Sequence, residues 1–171
     1  ESVKALTLLV TTLVDDVKLD LDVDSSLLSV AAVLPYIMPL RTMAISDANK
    51  RIMLRFPELT ELMIGGLILG DSHPRHGQPQ AELLQETSAA VLQELALFGP
   101  GAEVLRAHSG VMDALRQLVE LGTTKECRQC ASAALFELDE ERRERAAAAD
   151  DNSDTGWEAG NSRAHIMMSY N

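Results

Sequence analysis

The sequence predicts an all-α fold, an α-solenoid of about three stacked helical units followed by an irregular tail. Three observations predict it. Apolar residues make up 46% of the 171 residues but aromatics only 4%. Leu, Ala, Val and Met must therefore fill the core, a composition that favours helix over sheet. Apolar positions also recur at helical spacing through most of the chain. Finally, a pattern returns: QETSAAVLQEL, ending at Leu95, aligns with RQCASAALFEL, ending at Leu138, at an offset of 43. Helix-pair and helix-triplet repeats have periods of roughly 40 to 47 residues.

Residues 3–14 place Leu6, Leu9, Val10, Leu13 and Val14 on one helical stripe, as the last helix of a unit would. Residues 17–24 alternate apolar with charged, the pattern of a short strand or an extended connector. Asp20, Asp22 and Asp24 give the D-x-D-x-D opening of a calcium loop. Its sixth position is Ser25 rather than Gly and its twelfth is Ala31 rather than Glu, so the reading is a solvated acidic linker. Ser25 and Ser26 are candidate N-caps for LLSVAAVL. Residues 25–40 carry no charge. The run is shorter than the ~20 residues a bilayer needs, and Pro35 and Pro39 interrupt it. A buried helix that stops or kinks at Pro35 is expected.

Ser46, Asp47 and Asn49 mark a new start before the short amphipathic piece KRIMLRF. Pro57 opens PELTELMIGGLIL, where proline in the first helical turn is tolerated. Gly65, Gly66 and Gly70 match neither phosphate-binding glycine pattern; close helix packing at Gly65 and Gly66 and a stop at Gly70 are expected. Residues 71–80, DSHPRHGQPQ, read as a loop. A helix follows over residues 81–98, stopped by Gly99, Pro100 and Gly101. Next come AEVLRAH, a helix from Gly110 to Leu121 ended by Gly122, and a last helix capped by Thr123 and Thr124.

Earlier copies of the unit are visible. SVAAVLPYI, ending at Ile37, matches TSAAVLQEL at an offset of 58, and the helix ending at Gly70 matches the one ending at Gly122 at an offset of 52. The loop DSHPRHGQP adds about nine residues to one unit. One unit cannot bury its apolar face alone, so neighbours share a continuous core and leave an extended concave surface.

AEVLRAHSGVMDALRQLVELG followed by ECRQCASAALFEL resembles the armadillo family, with a glycine break before a Leu-rich helix and then a small-residue helix ending in Leu. The resemblance covers residues 3–145 and implies a right-handed armadillo-like solenoid over residues 1–145. It also implies that the third helix of each unit lines the concave surface. By that analogy Arg106, Asp113, Arg116, Gln117 and Glu120 are the candidate partner-binding positions, set against the plainer reading of a solvated helix face.

Two motifs suggest chemistry. Cys127-x-x-Cys130 has the spacing of a redox or zinc pair, but no second pair and no βαβ pattern accompany it. Both thiols fall on the stripe through Ala131, Ala134, Leu135 and Leu138, so buried structural thiols in an intracellular protein are expected. His73 and His76 could share a metal, but a stable site wants three or four ligands, so surface histidines are expected. Glu137, Asp139, Glu140, Glu141 and Glu144 alternate with Arg142, Arg143 and Arg145, which is solvation and i,i+4 pairing. No enzyme signature and no cofactor motif is found in residues 1–145.

Residues 146–163 read as a flexible linker containing Trp157, the one tryptophan. Residues 164–171, AHIMMSYN, resemble the first strand of a Toll/interleukin-1-receptor (TIR) domain, an apolar strand leading into Ser169 and Tyr170. That resemblance, and the absence of an initiating Met, imply a fragment cut as a TIR-like domain begins. NAD-cleaving activity, and self-association through that domain, would lie downstream. The net charge of −11 argues against nucleic acid and anionic membranes, because both are bound through Lys and Arg. The sequence thus points to a cytoplasmic, non-catalytic protein- or peptide-binding scaffold, with a ligand-sensing regulatory solenoid binding a nucleotide or other small molecule in its concave groove as the competing expectation.

Overall fold

The computed structural model describes residues 29–139. The expectations for residues 1–28 and 140–171, including the calcium loop, the linker and the TIR-like strand, lie outside the described residues. Seven α-helices and no strand occur among those described: α1 (Val30–Met43), α2 (Asp47–Met53), α3 (Pro57–Gly66), α4 (Ala81–Ala96), α5 (Gly99–Ala107), α6 (Val111–Leu121) and α7 (Lys125–Leu138). None is long and apolar enough to cross a membrane. α4 is central: α1 and α7 both pack against it, and the three together line one surface, the α1–α4–α7 layer. α2 packs on α5, and α6 packs on both α5 and α7.

α1 departs from expectation at both ends. Its N-cap is Ser29, not Ser25 or Ser26, and the Ser29 hydroxyl accepts from Ala32 N–H at 3.3 Å. The helix also runs unbroken through Pro35 and Pro39 to Met43. Each proline forfeits a backbone hydrogen bond and crowds the preceding turn, at a cost of about 3 kcal/mol. The two lie four residues apart on the outer face. Val30, Val33, Leu34, Ile37 and Leu40 occupy the opposite face and are buried. At roughly 1.5–3 kcal/mol each, that burial outweighs the two prolines.

α3 starts with Pro57 in its first turn, as the sequence predicts, but ends at Gly66 rather than continuing to Leu69. Ile68 follows in the left-handed region at φ 50, which terminates the helix. Its orphan carbonyls are taken by side chains from elsewhere: Arg75 Nη1 donates to Gly65 O at 3.1 Å, and Gln85 Nε2 donates to Leu67 O. At Gly66 the expected close approach is present. A Cβ there would stand 2.1 Å from Ser88 Oγ.

α5 begins at Gly99, so the Gly-Pro-Gly run expected to separate two helices is instead the first turn of the second one. Pro100 needs no N–H bond in a first turn. Gly101 is required because a Cβ would lie 2.2 Å from the Leu95 carbonyl oxygen.

Equivalent positions on α4 and α7 do equivalent things. The buried residues of α7 are Cys127, Ala131, Ala134 and Leu138. Each stands 43 positions after a buried residue of α4: Leu84, Ser88, Val91 and Leu95. Gln85 and Arg128 are also 43 apart. Gln85 donates to Leu67, the C-cap of α3, and Arg128 Nη1 donates to Gly122, the C-cap of α6. α1 is less regular. It begins 51 residues before α4 rather than 58. The difference of seven is two helical turns, which leaves the same stripe buried.

Ser88 is fully buried and its hydroxyl has no hydrogen-bond partner. An unpaired buried polar group costs about 1–3 kcal/mol. Ser88→Ala removes it without creating a cavity larger than one oxygen, so the variant is expected to be more stable than the parent by about 1 kcal/mol. A lower chemical-denaturation midpoint for Ser88→Ala would contradict this.

Candidate binding groove

An open groove of about 670 Å³ runs along the layer of α1, α4 and α7. Small residues make the layer close: Ser88, Ala89 and Ala90 on α4 and Ala131 and Ala134 on α7 are buried between helices. Polar side chains line the surface above them. Arg41 comes from α1, Glu86 and Gln93 from α4, and Lys125, Arg128 and Gln129 from α7. Glu86 and Gln129 are again 43 positions apart. The N-terminus of α7 is fixed by the turn before it. Thr124 Oγ1 accepts from Cys127 N–H at 3.1 Å, while Gln85 Oε1 accepts from Thr123 N–H at 2.9 Å and from Thr123 Oγ1 at 2.7 Å. Thr124 is therefore the cap, and Thr123 anchors to α4 instead.

The two cysteines separate. Cys127 is buried as expected, whereas Cys130 is half-buried and lines the groove. Both are free thiols. Burial pushes both upward in pKa, against the Thr124 hydrogen bond at Cys127 and the positive charge of Arg41 at Cys130. A raised thiol pKa is the reverse of what a redox nucleophile requires. Iodoacetamide at neutral pH is thus expected to label native chain at Cys130 only, and slowly, with Cys127 reacting after unfolding. Fast labelling of Cys127 in the folded state, read by peptide mass mapping, would contradict the packing.

The loop between α3 and α4 is organised by Arg75, which is 1% exposed. Its backbone N–H donates to His73 Nδ1 at 3.2 Å. Partial burial, together with Arg75 and His76 nearby, holds the His73 imidazole below its ordinary pKa. His76 Nε2 lies 3.4 Å from Asp71 Oδ1. Among the described residues no group of three His, Cys, Asp or Glu side chains is arranged to hold a metal ion. Behind the loop is a second cavity of about 310 Å³, lined by Ile68, Gln78, Gln80, Gln85 and Thr123 among others. It lies at the small end of ligand-pocket sizes.

The five positions singled out by analogy lie elsewhere. Asp113, Arg116, Gln117 and Glu120 are exposed on α6. Arg116 Nη1 donates to Asp113 Oδ1 at 2.8 Å, an i,i+3 surface pair. Arg106 donates through Nε to Leu138 O at 3.0 Å and through Nη2 to Glu137 O, so it caps the C-terminus of α7 as a cation suits a helix end. None of the five lines the groove. The offset of 43 marks one groove pair in the sequence, Glu86 with Gln129; the other lining positions carry no such signal.

No protein-family model, curated protein or solved structure matches the chain.

Proposed function

We propose that the chain is a non-catalytic, armadillo-like interaction module whose α1–α4–α7 groove receives an extended peptide segment of a protein partner. In this reading α2, α3 and α4 form one unit, α5, α6 and α7 the next, and α1 is the third helix of the unit before. The observation that carries it is the recurrence between units. Each buried position of α7 stands 43 after a buried position of α4, as do the side chains that close the preceding helices and one groove-lining pair, Glu86 and Gln129. Such stacking produces a groove that crosses successive third helices. Gln93 and Gln129 each offer an amide donor and acceptor, the chemistry that pairs with an extended backbone. The resemblance of residues 164–171 to a TIR opening extends the proposal to regulation of an attached signalling domain.

The test is panning of a random dodecapeptide phage library on the full chain. Adjacent helices pack 8–10 Å apart and an extended chain rises about 3.3 Å per residue, so a dodecapeptide is long enough to cross three helices. Enriched peptides are expected to be lost on Gln129→Trp, which fills the groove, and kept on Gln117→Trp on α6. Enrichment indifferent to Gln129→Trp would reject the groove. The nucleotide reading instead predicts a thermal shift with nucleotides by mass action on the folded state; the peptide reading predicts none.

A further inference from the structure

Residues 67–80, between α3 and α4, are strained at both ends. Ile68 at φ 50 and Gln80 at φ 64 are the non-glycine residues in the left-handed region among those described. Ile68 is also β-branched and 6% exposed, and a β-branched residue rarely takes that backbone. Such a conformation persists only where surrounding contacts hold it. In this loop those contacts are polar. Arg75 Nη1 donates to the Gly65 carbonyl near the end of α3. Gln78 Oε1 accepts the Val30 N–H, the first of α1, at 2.9 Å, and Gln78 Nε2 donates to Pro74 O at 3.0 Å.

His73 sits among these contacts, half-buried, and its Nδ1 accepts the Arg75 N–H at 3.2 Å. That bond exists only while Nδ1 carries no proton, because an imidazolium has two donors and no acceptor. Arg75 and His76 are the charged or titratable groups that act on the ring; His76 itself lies beside Asp71. Of the helices the loop touches, α3 carries Glu58 and Glu61 and α4 carries Glu82. None of these carboxylates is among the charges acting on His73, and the first turn of α1 has no acidic residue.

We infer that this loop is an acid-released latch: a proton on His73 Nδ1 removes the acceptor for the Arg75 N–H and adds positive charge beside Arg75, and the strained loop lets go of the end of α3 and the start of α1. Release opens the cavity of about 310 Å³ that His76, Gly77 and Gln78 help to wall. The latch works in the same way whatever the groove binds. Its sign follows from burial. Desolvation first, then the charges of Arg75 and His76, hold the imidazole below its ordinary 6.5 in the closed loop. The open loop returns the ring to its ordinary value. The closed form is therefore fully favoured above 6.5 and loses ground as pH falls below it, by up to about tenfold per pH unit until the lowered value is passed.

Amide exchange by NMR on the full chain, corrected for the intrinsic pH dependence of exchange, tests the latch. Between pH 7.5 and 5.5 the protection of the Val30 and Arg75 N–H groups is expected to fall severalfold, and by no more than about tenfold. His73→Asn supplies an acceptor oxygen that does not titrate, so protection at both sites should stay level over the same range. His108 and the carboxylates titrate in both proteins, and the comparison removes their effect. A level profile in the parent chain, or the same fall in His73→Asn, overturns the inference. Should His73→Asn fail to fold, the imidazole shifts of the parent decide. His73 titrating below 6.5 together with the loss of protection supports the latch, and His73 titrating at or above 6.5 overturns it.

Discussion

Gln85→Met is expected to lower stability by about 2–4 kcal/mol and to loosen two turns at once. Gln85 is 2% exposed, and its amide joins three parts of the chain. Nε2 donates to the Leu67 carbonyl at the end of α3, and Oε1 accepts from both the N–H and the hydroxyl of Thr123 ahead of α7. Methionine matches the volume but leaves the Leu67 carbonyl and the Thr123 donors without their partner. The cost falls mainly on the carbonyl of buried Leu67, since Thr123 is exposed and its donors can turn to water. At roughly 2–8 °C per kcal/mol for domains of this size range, the melting temperature should fall clearly. Amide exchange should quicken at residues 67–70 and 122–124 before it does so in α4. Gln93→Met, on the same helix but half-buried in the groove, is the control and should change stability by less than about 0.5 kcal/mol. Equal melting temperatures for the Gln85 and Gln93 variants would contradict this role.

Gly101→Ala is expected to be the other large loss, about 3 kcal/mol. The added methyl would meet the Leu95 carbonyl oxygen at 2.2 Å. That atom is backbone inside α4, so no rotamer change relieves the clash. The chain must move α5 away from α4, and α2 rests on α5. Glu103→Ala, two positions later on the exposed side of α5, should be near neutral. Denaturant midpoints of the two variants decide the matter, and similar midpoints would rule out the tight α4–α5 corner.

Much of the helical fold was legible in the sequence because burial on a helix leaves a periodic trace. Of the stripe through Cys127, Cys130, Ala131, Ala134, Leu135 and Leu138, all but half-buried Cys130 and Leu135 are buried, and Pro57 opens α3 and Gly122 closes α6 as the sequence predicts. Local rules failed where tertiary contacts outweighed them. Pro35 and Pro39 predict a stop or kink, but α1 continues through both, held by five buried apolar residues on the far face. Gly99 to Gly101 read as a stop, yet the short side chains let α5 start against α4. Leu67 to Leu69 look helical; the left-handed Ile68 and donors from Gln85 and Arg75 end α3 earlier.

The groove was harder to read. Its residues come from helices far apart in sequence, and Arg41, Glu86 and Gln129 form no local motif. The charged stripe of α6 was conspicuous by contrast, because Asp113, Arg116, Gln117 and Glu120 stand together. Exposure alone does not place them in the groove, which a different set of side chains from α1, α4 and α7 lines. Arg106 illustrates the point. The armadillo resemblance offers it as a partner contact, and its guanidinium closes the end of α7.

Site-specific photo-cross-linking tests the groove most directly. A benzoylphenylalanine is placed at Gln129 in the groove or at Gln117 on α6, and each protein is irradiated with the pool of dodecapeptides enriched on the parent chain. Cross-linked peptide is expected from position 129 and none from position 117. Cross-linking from position 117 alone would move the binding face to α6 and contradict it.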